Sequence, residues 1–280
     1  MPYENFLTSV SSPRSGVYRR VFRTQNEVET CGAILWGQQV TMSLLSLTSN
    51  FEVALRNRIH VSLSRQASSK LNAQSSDSFP WYDKELGWLQ LNGESLEKVE
   101  RILSANQLRL KVQPPPDKVI SRLSFGFWSN ILDSQLPGPI AARTFPEILP
   151  YHPSSKHHWK HVNNQKVVVD IIKGVQTWRN RLAHCKPVWN EGWFRSSPNQ
   201  HWTELLPRLK QKHNEVLDCL SWICPATCTV YKDSFAGKIF PALVSEEAIV
   251  AHLQAPTTFG VSPIFSAPTP QEIAAYKARR

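Results

Sequence analysis

Apolar residues recur every three or four positions through Val40, Leu44, Leu47, Phe51, Leu55, Ile59 and Leu63. That spacing predicts one long helix beginning near Thr24 with a continuous buried stripe. Residues 64–80 then turn polar and Ser-rich, which predicts a surface loop. A second helix is expected from about Ser95 to Leu108, with Leu96, Val99, Ile102 and Leu103 inward. The run Pro114-Pro115-Pro116-Asp117 closes it. Asp117 reads as an N-cap, and Val119, Ile120, Leu123, Phe127 and Ile131 continue at helical spacing. Prolines at 137, 139, 146, 150 and 153 predict a loop-rich connection. Asn163 or Asn164 then caps a helix whose apolar series Val168, Ile171, Val175, Trp178 and Leu182 outlasts any ordinary strand. Pro187 stops it. A last long helix spans about 203–223, with Pro207 in its first turn or at a kink.

The flanks look different. Residues 1–24 are Ser-, Pro- and Arg-rich and read as a loose, flexible arm. After Cys228 the pattern weakens to a short helix over 245–254 and an extended stretch over 255–270. The expected organisation is therefore an all-α body over 25–228 between an N-terminal arm and a partly extended C-terminal extension, 229–280.

Charge narrows the partners. The 280 residues carry 32 Lys and Arg against 22 Asp and Glu, a formal charge of +10. That surplus favours a polyanion, nucleic acid first. No apolar run approaches the roughly 18–20 residues of a membrane span, and the start lacks the apolar segment of a signal peptide. The five cysteines are odd in number and scattered, which reads as reduced thiols. Together these predict a cytoplasmic protein with no membrane partner.

The most informative hexapeptide is Arg179-Asn180-Arg181-Leu182-Ala183-His184, at the end of the fourth long helix. Asn180 and His184 are four apart and share a helical face, within reach of a mutual hydrogen bond. Arg and His together suit metal-free RNA cleavage. His takes a proton from a ribose 2′-OH or gives one to the leaving 5′-oxygen. Arg holds the non-bridging phosphate oxygens and the charge that grows on phosphorus. The plainer reading is that cations in a last turn favour the helix dipole and cap loose carbonyls. An Arg followed four to six residues later by a His arises by chance about once in a chain of this size.

Three segments carry a resemblance when taken in order. They are Phe51-Glu-Val-Ala-Leu-Arg-Asn-Arg-Ile59, Phe125-Gly-Phe-Trp-Ser-Asn-Ile-Leu132, and the hexapeptide with its continuation Cys185-Lys-Pro-Val-Trp189. Over about residues 25–222 the chain resembles the Abi-like proteins of the AbiD and AbiF type, bacterial abortive-infection proteins of the HEPN superfamily. The resemblance implies a helical bundle, usually dimeric. It also implies a metal-independent endoribonuclease whose Arg-x(4 to 6)-His signature falls here on Arg179 and His184, with Asn180 as the polar residue after the Arg. A cognate RNA or protein antitoxin is the regulator it implies. Cys185 departs from the pattern, because family members often carry a second His there.

Other positions are expected to support such a site. Glu52 would orient Arg56, with Asn57 beside it, and Arg56 would add charge near the scissile phosphate. Against that stands an ordinary surface ion pair. Arg181 and Lys186 would contact RNA. His60 reads as a partly buried helix histidine, and Phe125, Phe127 and Trp128 as core aromatics before base-stacking ones. His157, His158 and His161 lack the spacing and the further ligand of a zinc site, and read as a solvated basic loop. Cys224 and Cys228 have no partner pair. There is no Gly-x-x-x-x-Gly-Lys-Ser/Thr loop, Gly-x-Gly-x-x-Gly, Gly-x-Ser-x-Gly or His-Glu-x-x-His. Neither cofactor nor metal is expected. The remaining alternative is a non-catalytic RNA- or protein-binding helical module.

Overall fold

The predicted stripe is one 44-residue helix. A computed structural model describes residues 2–106, 108–189, 201–256 and 268–279 of this all-α chain. After α1 (Pro2–Val10) and α2 (Ser12–Phe22) comes α3 (Glu27–Lys70), in which Val40, Leu44, Leu47, Phe51, Leu55, Ile59 and Leu63 are all fully buried. Next are α4 (Gly93–Leu103), α5 (Pro116–Ile120), α6 (Phe125–Asn130) and α7 (Gly138–Ile148). Then follow α8 (Val162–Ala183), α9 (Trp202–Ile223), α10 (Pro225–Asp233), α11 (Phe235–Leu243), α12 (Glu246–Gln254) and α13 (Pro270–Lys277). Strands β1 (Ser104–Ala105) and β2 (Leu108–Arg109) pair antiparallel, with Ser104 opposite Arg109. No helix among the described residues is long and apolar enough to cross a membrane.

Several expectations are corrected. The N-terminal arm is not loose. It forms α1 and α2, and Tyr18, Val21 and Phe22 are buried. The polar segment 64–80 is helical as far as Lys70, because Ser64 and Ser68 are small enough to be buried inside the stripe. The helix expected to Leu108 ends at Leu103 and gives way to the β1–β2 hairpin. Asp117 lies in the first turn of α5, whose N-cap is Pro115. The apolar run from Val119 to Ile131 is divided among α5, the turn that holds Leu123, α6, and a π turn over Ile131–Gln135. The proline-rich stretch after 137 holds α7, with Pro139 in its first turn, where no N–H is needed, and Pro146 in its last. Helix α8 ends at Ala183, before Pro187 acts on it. The C-terminal extension is helical in α10 to α13, and part of the stretch expected to be extended lies outside the described residues.

The chain divides into two compact units. Unit 1 comprises Met1–Thr48, Thr177–Leu217 and Thr229–Arg280, and unit 2 comprises Ser49–Gln176 and Asp218–Cys228. In unit 1 the rings of Phe22, Trp36 and Trp189 meet in pairs at 5.3 to 5.8 Å. Trp36 donates its indole N–H to the Leu243 carbonyl at 2.8 Å. In unit 2, Trp81 packs against Tyr82, Phe127 and Trp128, and its indole N–H donates to Nδ1 of His60 at 3.0 Å. His60 is thus a core residue, more buried than its sequence suggested, and burial lowers its pKa. Phe125, Phe127 and Trp128 belong to the same core, so none offers a face to a base.

Candidate functional site

The hexapeptide lies in unit 1, at the end of α8. Two backbone bonds close that end: Cys185 N–H donates to the Leu182 carbonyl at 3.0 Å, and Lys186 N–H to the Arg181 carbonyl at 3.0 Å. This is a Schellman closure, with Cys185 in the left-handed position at φ 51° that glycine usually occupies. His184 is the C-cap residue, and its own N–H still reaches the Asn180 carbonyl at 3.1 Å. Its imidazole is exposed. Beyond the closure, Val188 and Trp189 are buried, and Trp189 packs edge-on against Tyr18 at 5.2 Å. The chain is therefore gripped on both sides of His184.

Arg179 is half-buried, and its Nη1 donates to Asn180 Oδ1 at 3.4 Å. The expected bond from Asn180 to His184 is not made among the described residues; the Asn180 amide oxygen accepts from Arg179. Arg181 Nη2 donates to the Pro187 carbonyl at 3.3 Å, so the side chain also helps to close the helix end. Lys186 is exposed and available to a ligand. Helix geometry places Asn180 and His184 about 40° apart around the axis, but Arg179 and His184 about 140° apart. The guanidinium and the imidazole of one chain thus leave α8 in different directions.

Glu52, Arg56 and Asn57 belong to unit 2. Glu52 and Arg56 are half-buried one turn apart on α3, and Arg56 Nε donates to Oδ1 of the exposed Asn57 at 3.4 Å.

Sequence reasoning missed α2 as part of the site. Its Tyr18 is buried, and burial pushes the phenol up to about 12, with Arg14 pulling it down and the Cys185 thiol pushing it further up. The phenol therefore feels both α2 and the end of α8. Gly37 of α3 makes room for it, since a Cβ there would press on the Tyr18 hydroxyl at 2.8 Å. Arg14, Arg19 and Arg20 are exposed on the same short helix. The signal was present as Arg-rich composition, but without apolar periodicity it read as a loose arm.

The histidine-rich segment belongs to unit 2. Lys156–Lys160 is a 3-10 turn, and His158 stacks on His152 with ring centroids 5.6 Å apart. His152 also lies edge-on to Trp159 at 4.8 Å and Trp222 at 4.6 Å. Burial lowers the His152 pKa, and His158 lowers it further. His157, Lys160 and His161 keep the solvated character expected of the segment, and His158 and Trp159 do not. Among the described residues no group of three or more His, Cys, Asp or Glu side chains is placed to hold a metal ion. Compared with family models, curated proteins and solved structures, the chain matches none.

Proposed function

We propose that the chain is a HEPN-like, Abi-type, metal-independent endoribonuclease. It acts as a homodimer in the bacterial cytoplasm, in abortive infection or as a toxin held in check by a cognate RNA or protein antitoxin. The observation that supports this most is the end of α8. There an imidazole stands exposed at a C-cap locked by two backbone bonds, with the Arg179–Asn180 pair one turn before it and the arginines of α2 in the same unit.

In this reading the ribose 2′-oxygen attacks phosphorus and gives its proton to one imidazole. The bond from phosphorus to the 5′-oxygen breaks, and a second imidazole protonates the leaving oxygen. The products are a 2′,3′-cyclic phosphate and a 5′-OH. Arg179 binds the non-bridging oxygens and meets the charge that develops on them. One chain has a single His184, and its Arg179 points about 140° away from it. A two-fold dimer supplies both the second imidazole and the facing guanidinium, because an isologous interface sets each helix end beside its twin.

One set of contacts favours a second reading, a non-catalytic RNA- or protein-binding module. Arg181 is engaged on a carbonyl of its own chain, and His184 occupies a C-cap, where a cation suits the helix dipole. The deciding experiment is cleavage of a mixed cellular RNA pool in excess EDTA, after co-purifying RNA has been stripped off. Wild type, Arg179→Ala and His184→Ala run side by side with the new ends typed chemically. Cleavage by wild type alone, leaving cyclic phosphate ends, is the expected result. Equal RNA binding with no cleavage by any of the three supports the binding module.

A further inference from the structure

A second basic site lies in unit 2 and has no part in the proposed reaction. Helix α4 carries Lys98, Arg101 and Ile102 at the i, i+3 and i+4 spacing that puts three side chains on one face. Across from them runs the turn Arg122-Leu123-Ser124 that joins α5 to α6. Together these six residues line a cavity of about 240 Å³.

Its walls are fixed. Val99 and Leu103 of α4 and Leu123 and Phe125 of the facing segment are buried, and Asn130 Nδ2 of α6 donates to Ser95 Oγ of α4 at 2.8 Å. No carboxylate lines it. Lys98 is partly engaged, since its Nζ pairs at 2.7 Å with the exposed Glu94. Arg101 and Arg122 are exposed, and neither has an ion-pair partner among the described residues, although Glu97 stands one turn before Arg101.

We propose that this cavity binds one nucleotide unit by its phosphate. Two unpaired guanidiniums flanked by a lysine offer the forked donors that match phosphate oxygens bidentately. A singly charged carboxylate would leave half of that donor set unused. The volume is below the roughly 300–1,000 Å³ of pockets for drug-sized ligands, which suits a single nucleotide and is too small for a dinucleotide. Ile102 and Leu123 give the sugar or base an apolar wall that inorganic phosphate would not need. The nucleotide is either free or one unit of an RNA strand, and the chemistry of recognition is the same.

Calorimetry on the full chain tests this with adenosine 5′-monophosphate, adenosine, inorganic phosphate, a hexaglutamate peptide and a short 2′-O-methylated oligoribonucleotide. The last cannot be cut through its 2′-oxygen, so the result is independent of the ribonuclease reading. We expect the monophosphate or the oligonucleotide to bind. Affinity should fall at least about tenfold in Arg101→Gln/Arg122→Gln, the size of a lost charge-assisted phosphate contact. Ile102→Glu, which places an anion in the cavity, should do the same, whereas Arg19→Gln/Arg20→Gln on α2 leaves the monophosphate unaffected. Binding of the monophosphate identifies a free-nucleotide site, and binding of the oligonucleotide alone identifies a strand site. The proposal is overturned if neither binds, if both cavity variants bind as wild type does, or if hexaglutamate binds as tightly as the nucleotide probes. Melting curves of both variants establish that they remain folded.

Discussion

The imidazole of His213 lies flat on the ring of Phe240, with centroids 3.9 Å apart and planes 11° apart. Its Nε2 meets the Tyr231 hydroxyl at 3.1 Å. Burial in this setting lowers its pKa from 6.5 to about 4, the contact with Asn214 opposing and Lys232 assisting. Burial takes His252 to about 4 as well. The unfolded chain takes up these protons near pH 6.5 and the folded chain refuses them. Stability from these groups is therefore complete above about pH 6.5 and is lost as pH falls from there towards 4. Each of the two imidazoles removes on the order of 3 kcal/mol across that window. His60 and His201, both lowered by burial, add losses of the same sign. Urea midpoints measured between pH 7.5 and 4 should fall steadily below 6.5, and His213→Phe should flatten part of that slope. A profile that stays level would refute the assignment.

Two glycines of unit 1 make opposite predictions. A Cβ at Gly32 of α3 would collide with the backbone carbonyl of His252, and backbone cannot swing aside. Gly32→Ala should lower stability by about 3 kcal/mol, at the upper end of ordinary overpacking costs. Gly16 of α2 has nothing within 4 Å of such a carbon. Gly16→Ala should instead raise stability by about 0.5–1 kcal/mol through helix propensity. Denaturant midpoints of the two variants read out both signs.

Cys185 holds a left-handed conformation at φ 51° in the closure of α8. Relief of that strain by Cys185→Gly should stabilise the chain by about 0.5 kcal/mol after the extra freedom gained by the unfolded state is subtracted. If Cys185 serves only the turn, cleavage by this variant equals that of wild type. A loss of cleavage together with the gain in melting temperature would give the thiol a part in the chemistry.

A dimer that needs both imidazoles is inactivated by one substitution. After subunit exchange at equal amounts, wild type mixed with His184→Ala should retain about a quarter of wild-type cleavage, from the dimers that carry two intact chains. Chains that act singly would retain about half. Native mass spectrometry of the mixture, with one partner isotopically labelled, establishes that exchange is complete.

The long helices were legible because their stripes repeat many times. Seven positions from Val40 to Leu63 all proved buried, and one polar interruption could not hide them. Short helices gave no such repetition. Helix α2 buries Ser15, Tyr18, Val21 and Phe22 over eleven residues rich in Arg and Ser, too few turns for a period to stand out. Helix α7 was hidden by its prolines: Pro139 sits in the first turn, where a helix tolerates it, but Pro146 lies inside the helix near its end. At the site, the sequence placed His184 at the end of a helix, as found. It could not show that Asn180 faces Arg179, or that Arg181 reaches the Pro187 carbonyl, because both contacts depend on rotamers and on a turn of unusual handedness. The cavity beside α4 was invisible for a different reason: its two walls lie twenty residues apart and share no motif.

The bond from Arg181 to the Pro187 carbonyl bears on how mutants of this region are read. A scan that neutralises each basic residue in turn would find Arg181 sensitive, and the loss would measure slackening of the turn that carries His184, not a missing grip on phosphate. A matching fall in melting temperature, which the loss of a phosphate contact would not cause, would mark that mechanical origin. An arginine spaced ahead of a histidine at a helix end is first of all a way to finish a helix, and catalysis has to be added by what faces the imidazole.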